Sequence, residues 1–248
     1  YKAQIAHNNL TACVKIKAPF SKIRKARNKN TKKDKMPKDS LALINLDKMS
    51  VCKYEQIKSY KSGVENNNII AYIQQKAPNK NKKKKAEKEK LDGNILVVVN
   101  TLTGKKTLLK NVDSYAISND ATQLAVMVNP DKKNKKLKSS ATLYDLPSMS
   151  ATLLSQGKNY YGEANFSLDG KQLVFLASND TTTTGNKHCS LFYAKDKKAE
   201  EIIPQDYKKN LPEGWSLNEN STPEFSQNGK RILLGVAPYR APKDTTII

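Results

Sequence analysis

The sequence predicts an all-β chain, a β-propeller made of four-stranded antiparallel blades, with about four blades visible as part of a larger ring. Three observations predict it. The phrase Phe166-Ser167-Leu168-Asp169-Gly170-Lys171-Gln172-Leu173-Val174-Phe175-Leu176 reads as a hairpin. Gly170 takes φ > 0 without a Cβ penalty and Asp169 tolerates that region, so the pair suits a tight primed turn. The phrase returns as Phe225–Gly235 and, more weakly, as Ala116–Val126, its leading serines 49 and 59 residues apart. A hairpin recurring about every 50 residues marks a repeat architecture. Finally, Leu43, Leu96, Leu143 and Leu191 are read at one place before an inner turn, and Ala71, Ala125 and Val174 at one place after the longer hairpin. Each cycle then supplies about four strands.

In chain order, Tyr1–Lys17 alternates loosely, as a strand pair would. Pro19–Lys38 is basic and reads as a short helix or an ordered loop. Asp39–Leu46 is a strand, Asp47-Lys48-Met49 a turn and Ser50–Ile57 the antiparallel partner. Ile69–Ile73 follows as a strand. Ile95–Val99 is a continuous apolar run, expected of a strand buried on both faces. The chain turns at Thr101–Lys105, returns through Thr107–Val112 and enters the hairpin Ser118–Val128. Ala141–Leu146 and Ala151–Leu154 pair across Pro147-Ser148, and Cys189–Ala194 pairs with Ala199–Ile203 across Lys195–Lys198. This reading sets the blades at 1–72, 73–128, 129–176 and 177–248.

The chain is 248 residues long, 38% hydrophobic, and carries a formal charge of +21 from 44 basic and 23 acidic residues. The lysines concentrate in Ser21–Lys38, Asn79–Lys90 and Asp131–Lys138, between strand signals and without the interleaved aromatics of a single-strand binder. Solvated loops are therefore favoured over nucleic-acid binding. Polyanion binding through these tracts is the third reading of function, and steep loss of affinity with salt would mark it. No stretch approaches the roughly 18 apolar residues that span a bilayer, so no membrane partner is expected. Cys13, Cys52 and Cys189 show no CxxC spacing, and the adjacent His188-Cys189 pair at a strand start points to opposite faces, so no metal ligands are expected. No glycine-rich phosphate loop is present, and no cofactor is expected.

Met36–Leu46, Gly214–Asn220, and Ala237-Pro238 with Pro242–Ile247 resemble the propeller of secreted S9 (prolyl oligopeptidase and dipeptidyl peptidase IV-like) serine peptidases of the Bacteroidetes type. The resemblance runs from about Ile16 to Ile248. It implies a non-catalytic propeller that gates peptide access to an α/β-hydrolase domain beyond the C-terminus, in a periplasmic or secreted protein with peptide substrates. The catalytic domain of that family carries its serine on a G-x-S-x-G elbow, followed by Asp and His. This chain has no such elbow. Gly214-Trp215-Ser216-Leu217-Asn218 ends in Asn, and His7 and His188 both precede Ser216, so no catalytic residue is carried over and enzymatic activity of the chain stays open. Tyr160, Tyr161, Trp215 and Tyr239 fall at blade junctions, where packing between blades is the commoner role of aromatics. A substrate rim would use Trp215, Glu219 and Tyr239, with Glu163 and Glu224 as further acidic candidates by fold analogy. The alternative is a stand-alone TolB-like propeller acting as a protein-binding scaffold.

Overall fold

The computed structural model describes residues 2–5, 11–32, 35–65, 68–74, 94–129, 137–181 and 186–239. Their placement defines two compact units, Tyr1–Val112 with Asn119–Ala121, and Asp113–Ser118 with Thr122–Ile248.

The first unit is a seven-stranded antiparallel sheet in chain order, β1 (Lys2–Ile5), β2 (Thr11–Ile16), β3 (Asp39–Asn45), β4 (Ser50–Ser62), β5 (Ile69–Gln74), β6 (Ile95–Asn100) and β7 (Lys106–Lys110). Helix α1 (Phe20–Asn28) lies between β2 and β3, resolving the choice between helix and loop. The sheet is two four-stranded sets that share one strand. The first half of β4 pairs with β3, from Asn45↔Ser50 to Asp39↔Ile57. Its second half pairs with β5, from Ile57↔Gln74 to Ser62↔Ile70. The changeover falls beside Gln56, held at φ +60°. Cys13, Leu41, Leu43, Ile57, Ile70, Tyr72, Val97 and Val99 form the core. In β6, Leu96 through Val99 are all at most 3% exposed, as a strand covered on both faces requires.

The second unit holds two four-stranded antiparallel sheets. One is β8 (Val112–Ile117), β9 (Gln123–Val128), β10 (Ser140–Asp145) and β11 (Ser150–Gln156), apart from its first residue; the other is β12 (Tyr160–Phe166), β13 (Gln172–Ser178), β14 (Ser190–Lys195) and β15 (Lys198–Ile203). Two short ladders follow, β16 (Trp215–Ser216) with β19 (Ala237–Pro238), and β17 (Glu224–Phe225) with β18 (Ile232–Leu233). Strand periodicity lets β13 serve two cores. Leu173, Phe175 and Ala177 join Ala125, Met127 and Leu143 of the preceding sheet. Val174 and Leu176 face the other way, onto Leu217, Phe225, Ile232 and Leu234. Phe175 stacks on Phe192 at 5.1 Å, and Tyr161 packs against Phe175 at 6.2 Å.

The repeated serine phrase closes a longer loop than a primed two-residue turn. Ser167 N–H bonds Gln172 O at 2.9 Å, and Gly170 N–H bonds Ser167 O at 2.9 Å. Gly170 takes φ +70°, while Asp169 keeps a negative φ. Asp169 works through its side chain instead, accepting from Ser167 Oγ at 2.6 Å and from Lys171 N–H at 3.1 Å. Ser226 and Asn228 repeat those bonds at 2.9 and 3.1 Å. In the weakest copy Ala121 occupies the glycine place at φ +56°.

Two further expectations are corrected by register. Ala71, Ala125 and Val174 do correspond, and their partners are Val98, Leu143 and Tyr193. Leu43 and Leu143 stand two residues before the turns, whereas Leu96 and Leu191 stand four before them, because a strand can shift by two without changing face. The sheets also divide the chain differently from the boundaries at 72, 128 and 176. Residue 72 lies inside β5, 128 ends β9 within its sheet, and 176 lies inside β13. The serine phrase joins the first and second strands of the β8–β11 and β12–β15 sheets, so counting from it cuts through them.

Candidate functional site

At one end of the β12–β15 sheet the four strands leave a cleft of about 580 Å³. Lys158 precedes β12, Asn179 follows β13, His188 precedes β14 and Glu201 lies near the end of β15, so antiparallel order alone brings them to the same end. The connection Pro204–Lys208 forms the far wall, and Trp215 and Ser216 of β16 line the rest. Lys158 and Glu201 are paired at 3.3 Å across the rim.

Asp180 ties two of the lining residues together. Its carboxylate accepts His188 N–H at 2.6 Å and the Gln205 amide at 3.0 Å, while Gln205 Oε1 accepts Asn179 N–H at 2.9 Å. Ser178 Oγ accepts Asp180 N–H at 3.0 Å and donates to His188 O at 2.5 Å. The backbone of His188 is thus fixed on both sides, and its imidazole stacks on the Tyr239 ring at 4.3 Å, 20° from parallel. Tyr239 is placed by its N–H, which bonds Gly214 O at 2.8 Å beside the Trp215↔Pro238 pair. Glu219 accepts Lys187 N–H at 2.5 Å, one residue before His188.

Of the three residues singled out from sequence, Tyr239 stacks on His188, Trp215 shares the cleft lining with it and Glu219 bonds the preceding residue, Lys187. Trp215 lines the cleft and is 38% exposed, Tyr239 covers the imidazole and is also 38% exposed, and Glu219 holds the adjoining main chain. Glu163 and Glu224 lie exposed on β12 and β17, outside the cleft lining. Tyr161 is fully buried in the core, whereas Tyr160 lies under Lys187 Nζ at 5.4 Å from its ring centre. Burial, with smaller contributions from the neighbouring Cys189, Asp113, Glu219 and Glu163 groups, pushes the Tyr160 hydroxyl up to about 12. Sequence reasoning missed Asp180, His188, Gln205 and the Lys158–Glu201 pair. They are spread over some fifty residues, and only strand register assembles them.

Ser216 and His188 both line the cleft, yet no hydrogen bond joins their side chains, and Asp180 holds the histidine backbone rather than its ring. A serine triad needs the base on the nucleophile and the carboxylate on the base, and neither contact exists here. The Cys189 thiol is pushed up to about 12 by burial, with smaller contributions from Glu219 and Asp180, so it stays protonated at neutral pH. Among the described residues no group of three or more His, Cys, Asp or Glu is placed to hold a metal ion. The cleft lining combines aromatic rings with charges of both signs, Lys158 and Lys208 beside Glu201 and Asp206.

No protein-family model and no curated protein sequence matches the chain. Solved structures do. The chain is similar to the β-propeller domain of the trilobed protease from Pyrococcus furiosus, at 12% identity and a TM-score of 0.50, over 96% of this chain and 68% of that one. It is similar to an oligogalacturonate lyase solved with manganese, at 10% identity and a TM-score of 0.52, over 94% of this chain and 61% of the other. The tricorn protease aligns at 10% identity and a TM-score of 0.49, over 94% of this chain and 26% of that one. The chain thus spans about two thirds of that propeller domain, 61% of the lyase chain and about a quarter of the tricorn protease chain. With its successive four-stranded antiparallel sheets, the chain has the β-propeller fold.

Proposed function

We propose that the chain is the propeller module of an exported, S9-type serine peptidase, gating peptide access to an α/β-hydrolase domain further along the same polypeptide. The observation that carries this reading is the likeness of 96% of the chain to a propeller domain taken from a protease. The phrases at Met36–Leu46 and Gly214–Asn220 support the same family. The cleft bounded by Trp215, with Tyr239 stacked on His188 and Glu219 holding the adjoining main chain, would meet the peptide, and bond cleavage would fall to the hydrolase domain.

The test uses the product of the uninterrupted reading frame, treated with a fluorophosphonate probe, with the labelled serine located by mass spectrometry. A label C-terminal to Ile248 is expected. A folded product that ends near Ile248 and takes no label would instead make the chain a stand-alone, TolB-like binding propeller.

A further inference from the structure

Helix α1 buries no residue. Isolated helices shorter than about 12 residues are marginal in water, so a nine-residue helix without a core face needs other support. Its ends supply that. On the N-terminal side, the Asp39 carboxylate accepts Ala18 N–H at 3.0 Å and pairs with Lys15 at 3.2 Å. At the other end Asn30 N–H bonds Arg27 O at 2.9 Å and Thr31 N–H bonds Ala26 O at 3.0 Å. Ile23 and Ala26 are half-buried and mark the side turned to the protein. Lys22, Arg24, Lys25, Arg27 and Lys29 are all exposed, and Phe20 is 73% exposed at the start of the helix. No acidic residue occurs from Lys15 to Lys33. Phe20, Arg24 and Arg27 fall at i, i+4 and i+7, one stripe along the helix.

We propose that α1 docks the protein on an anionic lipid surface, with Phe20 entering the boundary between headgroups and acyl chains, Arg24 and Arg27 of the same stripe facing lipid phosphates, and the remaining cations adding to the local positive field. This inference does not depend on the peptidase reading. Charge complementarity names an anionic partner, and each Lys or Arg near an anionic membrane strengthens binding about fivefold. An inserted phenylalanine adds about tenfold or more. The ring favours lipid over single-stranded nucleic acid, which stacks its bases on successive aromatics along a groove. Phe20 is the sole aromatic between Lys17 and Lys38, and it stands at the tip of an exposed helix. Surface docking needs no spanning helix, and among the described residues none is long and apolar enough to cross a membrane.

The experiment is co-sedimentation of the full chain with vesicles of phosphatidylcholine alone or mixed with phosphatidylglycerol, at several salt concentrations. Binding is expected only with phosphatidylglycerol, weakening as salt rises. Phe20→Ala should lower the partition coefficient about tenfold with the salt dependence unchanged. Arg24→Glu with Lys25→Glu and Arg27→Glu should lower it about a hundredfold or more. Phe20→Trp supplies a direct reporter, whose emission should shift to the blue on phosphatidylglycerol vesicles. Circular dichroism and thermal melting check that each variant is folded. Absence of vesicle binding at low salt would overturn the proposal, as would a Phe20→Trp emission that stays unmoved while the protein binds. Tighter binding to an oligothymidylate than to vesicles of equal charge would assign the surface to nucleic acid instead.

Discussion

Gly229 and Gly104 occupy the left-handed region at φ +67° and +72°, but their surroundings differ. A Cβ on Gly104 would meet nothing within 4 Å, whereas one on Gly229 would fall 2.8 Å from Gln172 Nε2, which donates to Gly229 O. Gly104→Ala should therefore cost the left-handed penalty of about 1–2 kcal/mol, and Gly229→Ala the same penalty plus no more than the loss of the Gln172 amide bond, about 0.5–1.5 kcal/mol, read as shifts in urea midpoint. Asn129 is a second sensitive position. Its amide donates to Tyr161 O at 2.6 Å and to Asp113 at 2.9 Å, and its oxygen accepts Tyr161 N–H at 2.7 Å. Tyr161 sits where the β12–β13 ladder shifts register. Asn129→Ala leaves these backbone groups without that partner and should lower unfolding free energy by about 2–3 kcal/mol. The turn chemistry of the serine phrase was legible because Ser, Asp and Gly each have one local job there. Asn129 was not legible, since nothing near it in sequence needs an amide, and its partner lies 32 residues away.

Among the elements, β3 and α1 share a titrating anchor. Burial acts to raise the Asp39 pKa, but Ala18 N–H and the Lys15 ammonium outweigh it and hold the carboxyl below the ordinary carboxylate range. A carboxyl depressed in the folded state stabilises fully above its unfolded pKa of about 3.9, and that contribution is lost as pH falls toward the folded value. Denaturant midpoints measured downward from about pH 5 should therefore fall in the parent protein, and Asp39→Asn should remove part of that slope. The strands themselves were readable in place and type, from Ile95–Val99 to Cys189–Ala194, because apolar runs and turn residues are local signals. Grouping them into sheets was not readable. A strand such as β4, which changes partner at Ile57, carries no mark of that in its composition. The cleft was half legible for the same reason. Trp215 and Tyr239 draw notice in sequence only as aromatics at blade junctions, whereas His188 and Asp180 gain meaning only from the strand ends that join them.

At the scale of the molecule, charge follows topology. Three basic segments, 17–38, 75–94 and 129–139, each connect the second strand of a four-stranded set to the third, while the corresponding segment 179–189 contains a single lysine. Connections in these positions can lengthen without disturbing the ladders they join. A net charge of +21 also opposes compaction. Raising salt from about 0.05 to about 0.5 M should therefore raise the melting temperature, as screening shortens the range of that repulsion.

The strand shared by the two halves of the first unit has a consequence for how that unit opens. Since β4 donates backbone hydrogen bonds to β3 along one stretch and to β5 along the next, neither set can lose it without exposing amides of the other. In hydrogen exchange, β3 through β6 should come open as one cooperative group with a common free energy. The β8–β11 and β12–β15 sheets, joined through side chains such as Asn129, should exchange as two. Separate opening energies for β3 and β6 would contradict this.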